Sequence, residues 1–513
     1  MLEYFLQLIF LLHIVLLPTY LYFSWNFNYW QSRGLRTALP LTIFGSFPSI
    51  LTRNRNLIYE IDAIYGRYKH RSRMVGIYFV RQPQILVLDM RLAHEVLDLN
   101  FNAFEVTAAS SWMRHHKENK LDKLAMHSAM WSTGERWKKN RTVACAALTL
   151  SRLKRSYEVW LVSSRHLVHY LGQKCGDAQP EMVEVTDFVE RFVADALCIF
   201  IWGVDAGTLT LSKKGNRFLM MAQRAVKQTR SLSRYSFVSA VMPLLWRLWP
   251  FRLISKTVDS YFMQFTVDAL ECHMELRDPS GAPNFLSYLD NLRHSGLMSD
   301  DALTGNCMAM LIDGFEEVCS TLAYTIYYLA KEPRVQAKLR AELVQTQRRE
   351  NCKELSFDTL MSLSYLNHCI YETLRLSPTV PYCRRVCSNA NVVQLSKHKT
   401  LQLDDGMMLC VPVYSYHHDP LIFCEPNSFM PERFENVAPK ELMESRVFLP
   451  FGAGPRSCLG KDLAMVIIKS ALVPIVSQFA ISTCGRTQHG NNRGIDSFLL
   501  NLNEKLMLEI RRL

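Results

Sequence analysis

Phe451 to Gly460 reads FGAGPRSCLG, and the setting of its one cysteine decides how the rest of the chain is read. Cys458 has Arg456 two residues before it, Gly460 two after it, and Gly452 and Gly454 upstream. An apolar run of helical spacing, Leu463 to Val473, follows. Zinc wants three or four ligands at close spacing, and Cys458 has no such companions nearby. A nucleophilic cysteine needs a histidine base, which a linear sequence does not reveal. A buried structural thiol is the ordinary fate of a free cysteine, but it leaves three glycines and an arginine unexplained. Glycines let a flat group approach the backbone closely. A cysteine at the start of a helix gains thiolate character from the free N–H groups there.

The whole chain agrees with a large folded body. It has 513 residues, 49% of them hydrophobic, with only 21 Gly and 20 Pro, which excludes disorder and collagen-like repeats. The 14 cysteines are scattered singly with no C-x-x-C pair, so they read as reduced, cytosol-facing thiols rather than a disulfide scaffold. Lys plus Arg is 59 against 47 for Asp plus Glu, a formal charge of +12 that suits an acidic partner or an anionic surface.

Outward from the cysteine, the N-terminus carries the next strong signal. Tyr4 to Phe23 is apolar except for Gln7, His13 and Thr19, and a helix of that length spans about 30 Å, the hydrocarbon thickness of a bilayer. Tyr20, Tyr22, Trp25, Tyr29 and Trp30 suit the membrane interface, and Arg33 and Arg36 on the far side place the remaining chain in the cytosol. A cleaved signal peptide lacks its basic start and small-residue cleavage site here, and a buried core helix is the other alternative. The expectation is an uncleaved anchor over 1–30, a linker over 31–50, and one large domain over 51–513. Ile85–Leu88 and Leu409–Val413 look like strands. Ser299–Asp300 caps a helix that runs to Lys331, about 45 Å at the helical rise. Met242 to Ile254 is apolar with Arg247 and Arg252 interspersed, and reads either as a second membrane-surface contact or as ordinary packing.

A thiolate placed as Cys458 is placed meets what ligation of a haem iron requires. The run matches F-G-x-G-x-R-x-C-x-G, the signature of cytochrome P450 enzymes, at every fixed position. A chance match is on the order of one in millions per window. Glu372-Thr-Leu-Arg375 matches the family's E-x-x-R, Pro431-Glu432-Arg433-Phe434 its P-E-R-F, and Trp137-Lys-Lys-Asn-Arg141 its W-x-x-x-R. The chain therefore resembles a microsomal cytochrome P450, and its D-G-F-E and P-E-R-F forms are similar to those of insect members. The resemblance implies a mainly α fold with small β-sheets in a single large domain. It also implies haem with an axial cysteine thiolate from Cys458.

By the same resemblance Trp137, Arg141, Arg385 and Arg456 reach the haem propionates, with Arg384 the competing neighbour of Arg385, and Phe451 shields the sulfur. Glu372, Arg375 and Arg433 form a buried structural network. On the oxygen side, similar enzymes carry Ala/Gly-Gly-x-Asp/Glu-Thr. Here the stretch is Asp313-Gly314-Phe315-Glu316-Glu317. Gly314 and the acid Glu316 are in place, but Glu317 stands where the family has a hydroxyl that organises proton delivery. A carboxylate in an apolar helix is costly unless partnered or protonated. The implied activity is oxidation of a lipophilic small molecule with O2. Electrons would come from an NADPH-dependent flavoprotein reductase or cytochrome b5, at the endoplasmic reticulum membrane and with no role for nucleic acid. Arg136, Lys138, Lys139 and Lys461 would meet the reductase. The alternatives are a haem-thiolate isomerase or dehydratase, which can lack the Thr, and a non-catalytic haem or lipid-binding protein. Substrate choice would lie in Phe101 to Lys120 and around Gly215 to Val258.

Overall fold

A computed structural model describes residues 2–52, 55–115, 127–175, 179–230, 240–242, 253–276, 284–396, 399–487 and 505–513. The stretch read as a second membrane contact, residues 242–254, lies mostly outside them, as do parts of the two stretches read as setting substrate choice. Helices dominate. Three small sheets stand beside them, built from β1 (Met74–Phe79), β2 (Gln82–Val87), β3 (Val106–Thr107), β4 (Glu181–Glu184), β5 (Cys383–Val386), β6 (Asn391–Ser396), β7 (Lys399–Leu403), β8 (Met408–Val411), β9 (Phe479–Thr483) and β10 (Met507–Arg512). The largest has the order β1-β2-β8-β5-β3, the second β4-β10-β9, and the third pairs β6 with β7. The two strands expected from sequence lie side by side in parallel, with Ile85 opposite Leu409. The second stops at Val411 because Pro412 cannot donate to the ladder, and a short helix, Val413–His417, follows it.

The long helix runs Asp300–Lys331. Its Ser299 cap accepts from the Ala302 amide at 3.3 Å, Asp300 and Asp301 sit in the first turn, and Lys331 sits in the last. All three favour the helix through its end charges. Pro333 then opens the next helix, Pro333–Glu350, at a position where its missing N–H does no harm. The long helix packs along the almost wholly buried helix Val185–Trp202 and crosses the core near Ser364–Leu376 and Lys461–Gln478.

The N-terminus corrects the expected place of Trp30. Leu2–Ser24 is a single helix with Pro18 inside it, and Phe10, Ile14, Val15, Leu16 and Leu17 are exposed. Among the described residues, no helix is long and apolar enough to cross a membrane. Trp30 does not join an interface cluster. It is fully buried, donates from Nε1 to the Ile77 carbonyl at 3.3 Å, and lies where a Cβ on Gly76 would come within 2.4 Å of its ring. Tyr29 hydrogen-bonds Asp404, whereas Tyr20 and Trp25 stay exposed. Nor is 31–50 a free linker. Leu35, Ala38 and Phe47 are buried, and the Ala38 amide donates to Gly76.

Candidate active site

Two glycines let the loop before Cys458 fold tightly. Gly452 and Gly454 have φ of +68° and +70°, and a Cβ on Gly454 would sit 2.0 Å from the Leu97 carbonyl oxygen, so no side chain fits there. The Cys458 amide closes the loop onto the Phe451 carbonyl at 2.9 Å. Phe451 packs its ring against the helical core, with Lys461 Nζ 5.7 Å from the ring centre. The helix Lys461–Gln478 starts just beyond, capped by Gly460.

Cys458 keeps exposed surface, yet burial pushes its thiol up to about 11. The two agree if the sulfur faces a concave interior rather than bulk water. The Gly460 N–H donates to the sulfur and opposes the rise, as does the more distant charge of Arg141, while Glu317 and Asp313 add to it. The sequence reading expected the helix start to favour the thiolate, and here desolvation and two acids outweigh it. A metal cation at the sulfur reverses that balance, because a coordinating thiol is deprotonated outright.

Above the loop three guanidiniums converge. The helix Gly134–Ala147 buries Trp137, Asn140 and Ala144, and turns Arg136, Lys138 and Lys139 outward. Arg141, one turn from Trp137, donates to the Ser457 carbonyl at 3.1 Å. Arg456 lies over the Trp137 ring at 4.5 Å and donates to the carbonyls of Ala129 and Ser132. In β5 successive side chains face opposite ways. Arg384 points to the Tyr382 ring, and Arg385 is the buried one, near Arg456. Burial, helped by the charges of Arg385 and Arg141, lowers Arg456 to about 9, against a single acid, Glu105, at 3.7 Å. Arg385 Nε and Arg456 Nε are both buried with no hydrogen-bond partner among the described residues. Such a cluster needs more negative charge than the protein supplies.

Behind the loop the charges are matched. Glu372 and Arg375 are fully buried and joined by two bonds of 2.9 Å. Arg433 Nε and the Met430 amide also donate to Glu372 at 2.9 Å. Arg375 reaches on to the carbonyls of His417, Pro426 and Ser428. His417 Nε2 accepts from the Leu449 amide at 2.9 Å, which ties this network to the strand of chain leading into the cysteine loop. Burial holds the His417 imidazole neutral, its pKa far below the usual value, helped by the charges of His418 and Arg375. Nothing in the linear sequence announced that role for His417.

The long helix supplies the opposite wall. Asp313 and Glu317, four residues apart, share a face, and both act electrostatically on Cys458. Asp313 was not among the expected site residues. Like Cys458 it keeps exposed surface while burial raises it, here to about 7, with the Ser128 hydroxyl at 3.4 Å pulling it back. Gly314 points elsewhere. A Cβ there would touch Leu197 of the neighbouring helix at 3.6 Å, so its place is in helix packing. Glu316 is buried off the Asp313–Glu317 face. The four-residue spacing was the available signal for Asp313.

The cytochrome P450 family model matches residues 36–508. The chain belongs to the cytochrome P450 family. Probable cytochrome P450 309a2 of Drosophila melanogaster is 40% identical over 472 residues, covering 92% of this chain and 86% of the relative. Probable cytochrome P450 309a1 of the same fly is 35% identical over 492 residues, covering 95% and 96%. Cytochrome P450 6a2, also from the fly, is 28% identical over 493 residues, covering 93% and 94%. This P450 is thus an insect member, an oxidoreductase of the monooxygenase type, and its family uses haem on a cysteine thiolate. The residues present fit that group. One thiol faces inward from a glycine-tailored loop. Three guanidiniums, two with unpaired buried N–H groups, match a pair of carboxylates.

Proposed function

We propose that this P450 oxidises a lipophilic small molecule of xenobiotic, steroid or fatty-acid type. The observation that carries the reading is membership of the cytochrome P450 family, and Trp131, Leu253, Ile254, Met308 and Ile312, which with Ser128 and Thr229 line a small cavity of about 10 Å³ beside the long helix, are apolar. Such walls favour a ligand with little polar surface. Haem, when bound, supplies the redox chemistry, and a thiolate ligand favours O–O cleavage. The chain's own residues do the rest. Cys458 ligates the iron, and the Gly460 N–H holds its sulfur. Phe451 covers the sulfur from the core side. Arg141, Arg385 and Arg456 hold the propionates, with Trp137 as the flat support of Arg456. Glu317, with Gly314 and Glu316 beside it, occupies the wall from which protons are delivered.

Electrons reach the site from an NADPH-dependent flavoprotein reductase, with cytochrome b5 as a second donor. Support comes from exposed Arg136, Lys138 and Lys139 on the outer face of the helix whose inner face carries Trp137 and Arg141. Lys461 adds to that charge from the start of the helix that follows the cysteine loop. A basic face there steers an acidic partner towards the thiolate side. The exposed apolar residues of Leu2–Ser24 and the Arg33–Arg36 charges support anchorage in the endoplasmic reticulum membrane, domain in the cytosol. Protease added to sealed microsomes should then degrade nearly everything after the anchor.

A second reading, a haem-thiolate isomerase or dehydratase acting on peroxides, is favoured by one residue, Glu317 in place of the hydroxyl. Turnover separates the two. Product formed only with NADPH and reductase supports the monooxygenase reading, product formed from a peroxide alone supports the second, and no product in either assay overturns both.

A further inference from the structure

The arginine cluster beside the cysteine loop carries one more positive charge than the propionates of a haem can match. Arg141, Arg385 and Arg456 bring three guanidiniums together, and the propionates are two carboxylates. A third carboxylate is already in the protein. Glu105 Oε1 lies 3.7 Å from Arg456 Nη2, with the two side chains 20% and 4% exposed. Its charge favours the Arg456 guanidinium against burial and the other two arginines. The same Oε1 accepts from the Gly134 amide at 2.6 Å. That amide opens the helix Gly134–Ala147, whose cap residue Thr133 makes no side-chain bond of its own. The free N–H groups and end charge of a helix start hold a carboxylate in place. The sheet fixes Glu105 from the other side, since Val106 pairs with Val386 and Thr107 with Arg385. One carboxylate thus stands where the strand of Arg385, the loop of Arg456 and the helix of Arg141 meet.

We infer that Glu105 is a positioning residue of the haem edge, which acts through Arg456 by drawing part of that guanidinium's charge away from the propionate and so holds the reduction potential of the iron down. The inference rests on the family's haem and needs no particular substrate. Arg456 is also tied to the carbonyls of Ala129 and Ser132, so removing the Glu105 charge leaves the guanidinium in place and turns it fully towards the haem. Reduction adds an electron to the haem, and a nearby anion opposes that step while a nearby cation favours it. The low exposure of both side chains limits screening by salt.

The test measures the reduction potential of full-length, haem-loaded protein by equilibration with a redox dye, with no substrate present. Glu105→Gln keeps an acceptor for the Gly134 amide and removes the charge. It should load haem and shift the reduction equilibrium about tenfold towards the reduced state, a rise of about 59 mV for one electron. Glu105→Asp keeps the charge and should keep the original potential. Glu135→Gln is the control. Glu135 follows Gly134 directly, but its side chain is 88% exposed and pairs with Lys138, so its loss should leave the potential where it was. An unchanged potential in Glu105→Gln overturns the inference. So does an equal shift in Glu135→Gln, which would make the effect one of net charge alone. If Glu105→Gln does not hold haem, Glu105→Asp decides. Haem held there at the original potential supports the role of the charge. Haem lost, or held at a changed potential, overturns it and leaves Glu105 as a residue of the fold.

Discussion

Glu372 and Asp313 are carboxyls on the two sides of the cysteine loop of this P450, the first fully buried behind it and the second facing it with surface exposed, and they are treated in opposite ways. Glu372 accepts from Arg375, Arg433 and the Met430 amide, all at 2.9 Å. Asp313 has one hydroxyl at 3.4 Å and is raised to about 7. A buried charge is tolerable when its hydrogen-bonding capacity is filled, and a desolvated carboxyl with one weak partner rises in pKa instead. The acid behind the loop is matched by two guanidiniums and an amide, and the acid facing it by one hydroxyl.

The sharpest way to break that contrast is at the loop itself. Cys458→Ser should abolish the red-shifted, thiolate-type Soret band of the reduced carbon-monoxide complex. A normal spectrum in that variant removes Cys458 as the ligand and the distinction between the two sides with it. Next in size is Glu372→Ala, which strands the Arg375 and Arg433 charges in the interior. Losing one partner of a buried pair destabilises by about 3–5 kcal/mol. The variant should therefore fail to incorporate haem stably. A well-loaded variant that only turns over slowly would mean that the network tunes chemistry and does not hold the fold.

These two sites were legible in the sequence because each is written at short range. Cys458 sits in a ten-residue pattern, and Glu372 and Arg375 are three apart on one helix. The choice between Arg384 and Arg385 was not legible, because it depends on which face of β5 meets Arg456. The role of His417 was not legible for a similar reason, since its tie to Leu449 crosses 32 positions. Trp30 was misread because an aromatic belt and a core aromatic have the same composition. Only Gly76, whose missing Cβ makes room for the ring, separates them. Asp313 lay inside a motif already in view, but family likeness drew attention to Gly314, Glu316 and Glu317 instead.

A smaller effect separates the two sides by pH. His417 is neutral in the folded state with its pKa far below normal, chiefly through burial. Below the ordinary histidine value of about 6.5 the unfolded chain takes up a proton that the folded one refuses, so stability falls with falling pH by up to about 1.4 kcal/mol per unit. His417→Gln keeps an acceptor for the Leu449 amide and should remove that acid slope. Asp313 works the other way. Its folded pKa of about 7 lies above the unfolded value, so its contribution is fully present at low pH and declines as pH rises towards 7. Asp313→Asn should flatten that decline. Denaturation midpoints across pH check both, and like-signed slopes for the two residues would erase the contrast.

The smallest expected effect is at Glu317. Similar enzymes place a hydroxyl here, which both donates and accepts hydrogen bonds, whereas an ionised carboxylate only accepts. Glu317 also adds negative charge near Cys458, since its carboxylate acts against the thiolate. Both properties disfavour orderly proton delivery on this wall. Glu317→Thr should therefore raise product formed per NADPH and lower peroxide release by a few-fold, on the order of 1 kcal/mol in barrier terms. A protonated Glu317 would behave in the opposite way, because it is itself a donor, and the same substitution would then do nothing or do harm. Peroxide release during NADPH oxidation with reductase is the readout to use first, because it needs no identified product. If release is unchanged in Glu317→Thr, the carboxylate is no more than a tolerated charge. Asp313 is then the acid on which the difference between the two sides depends.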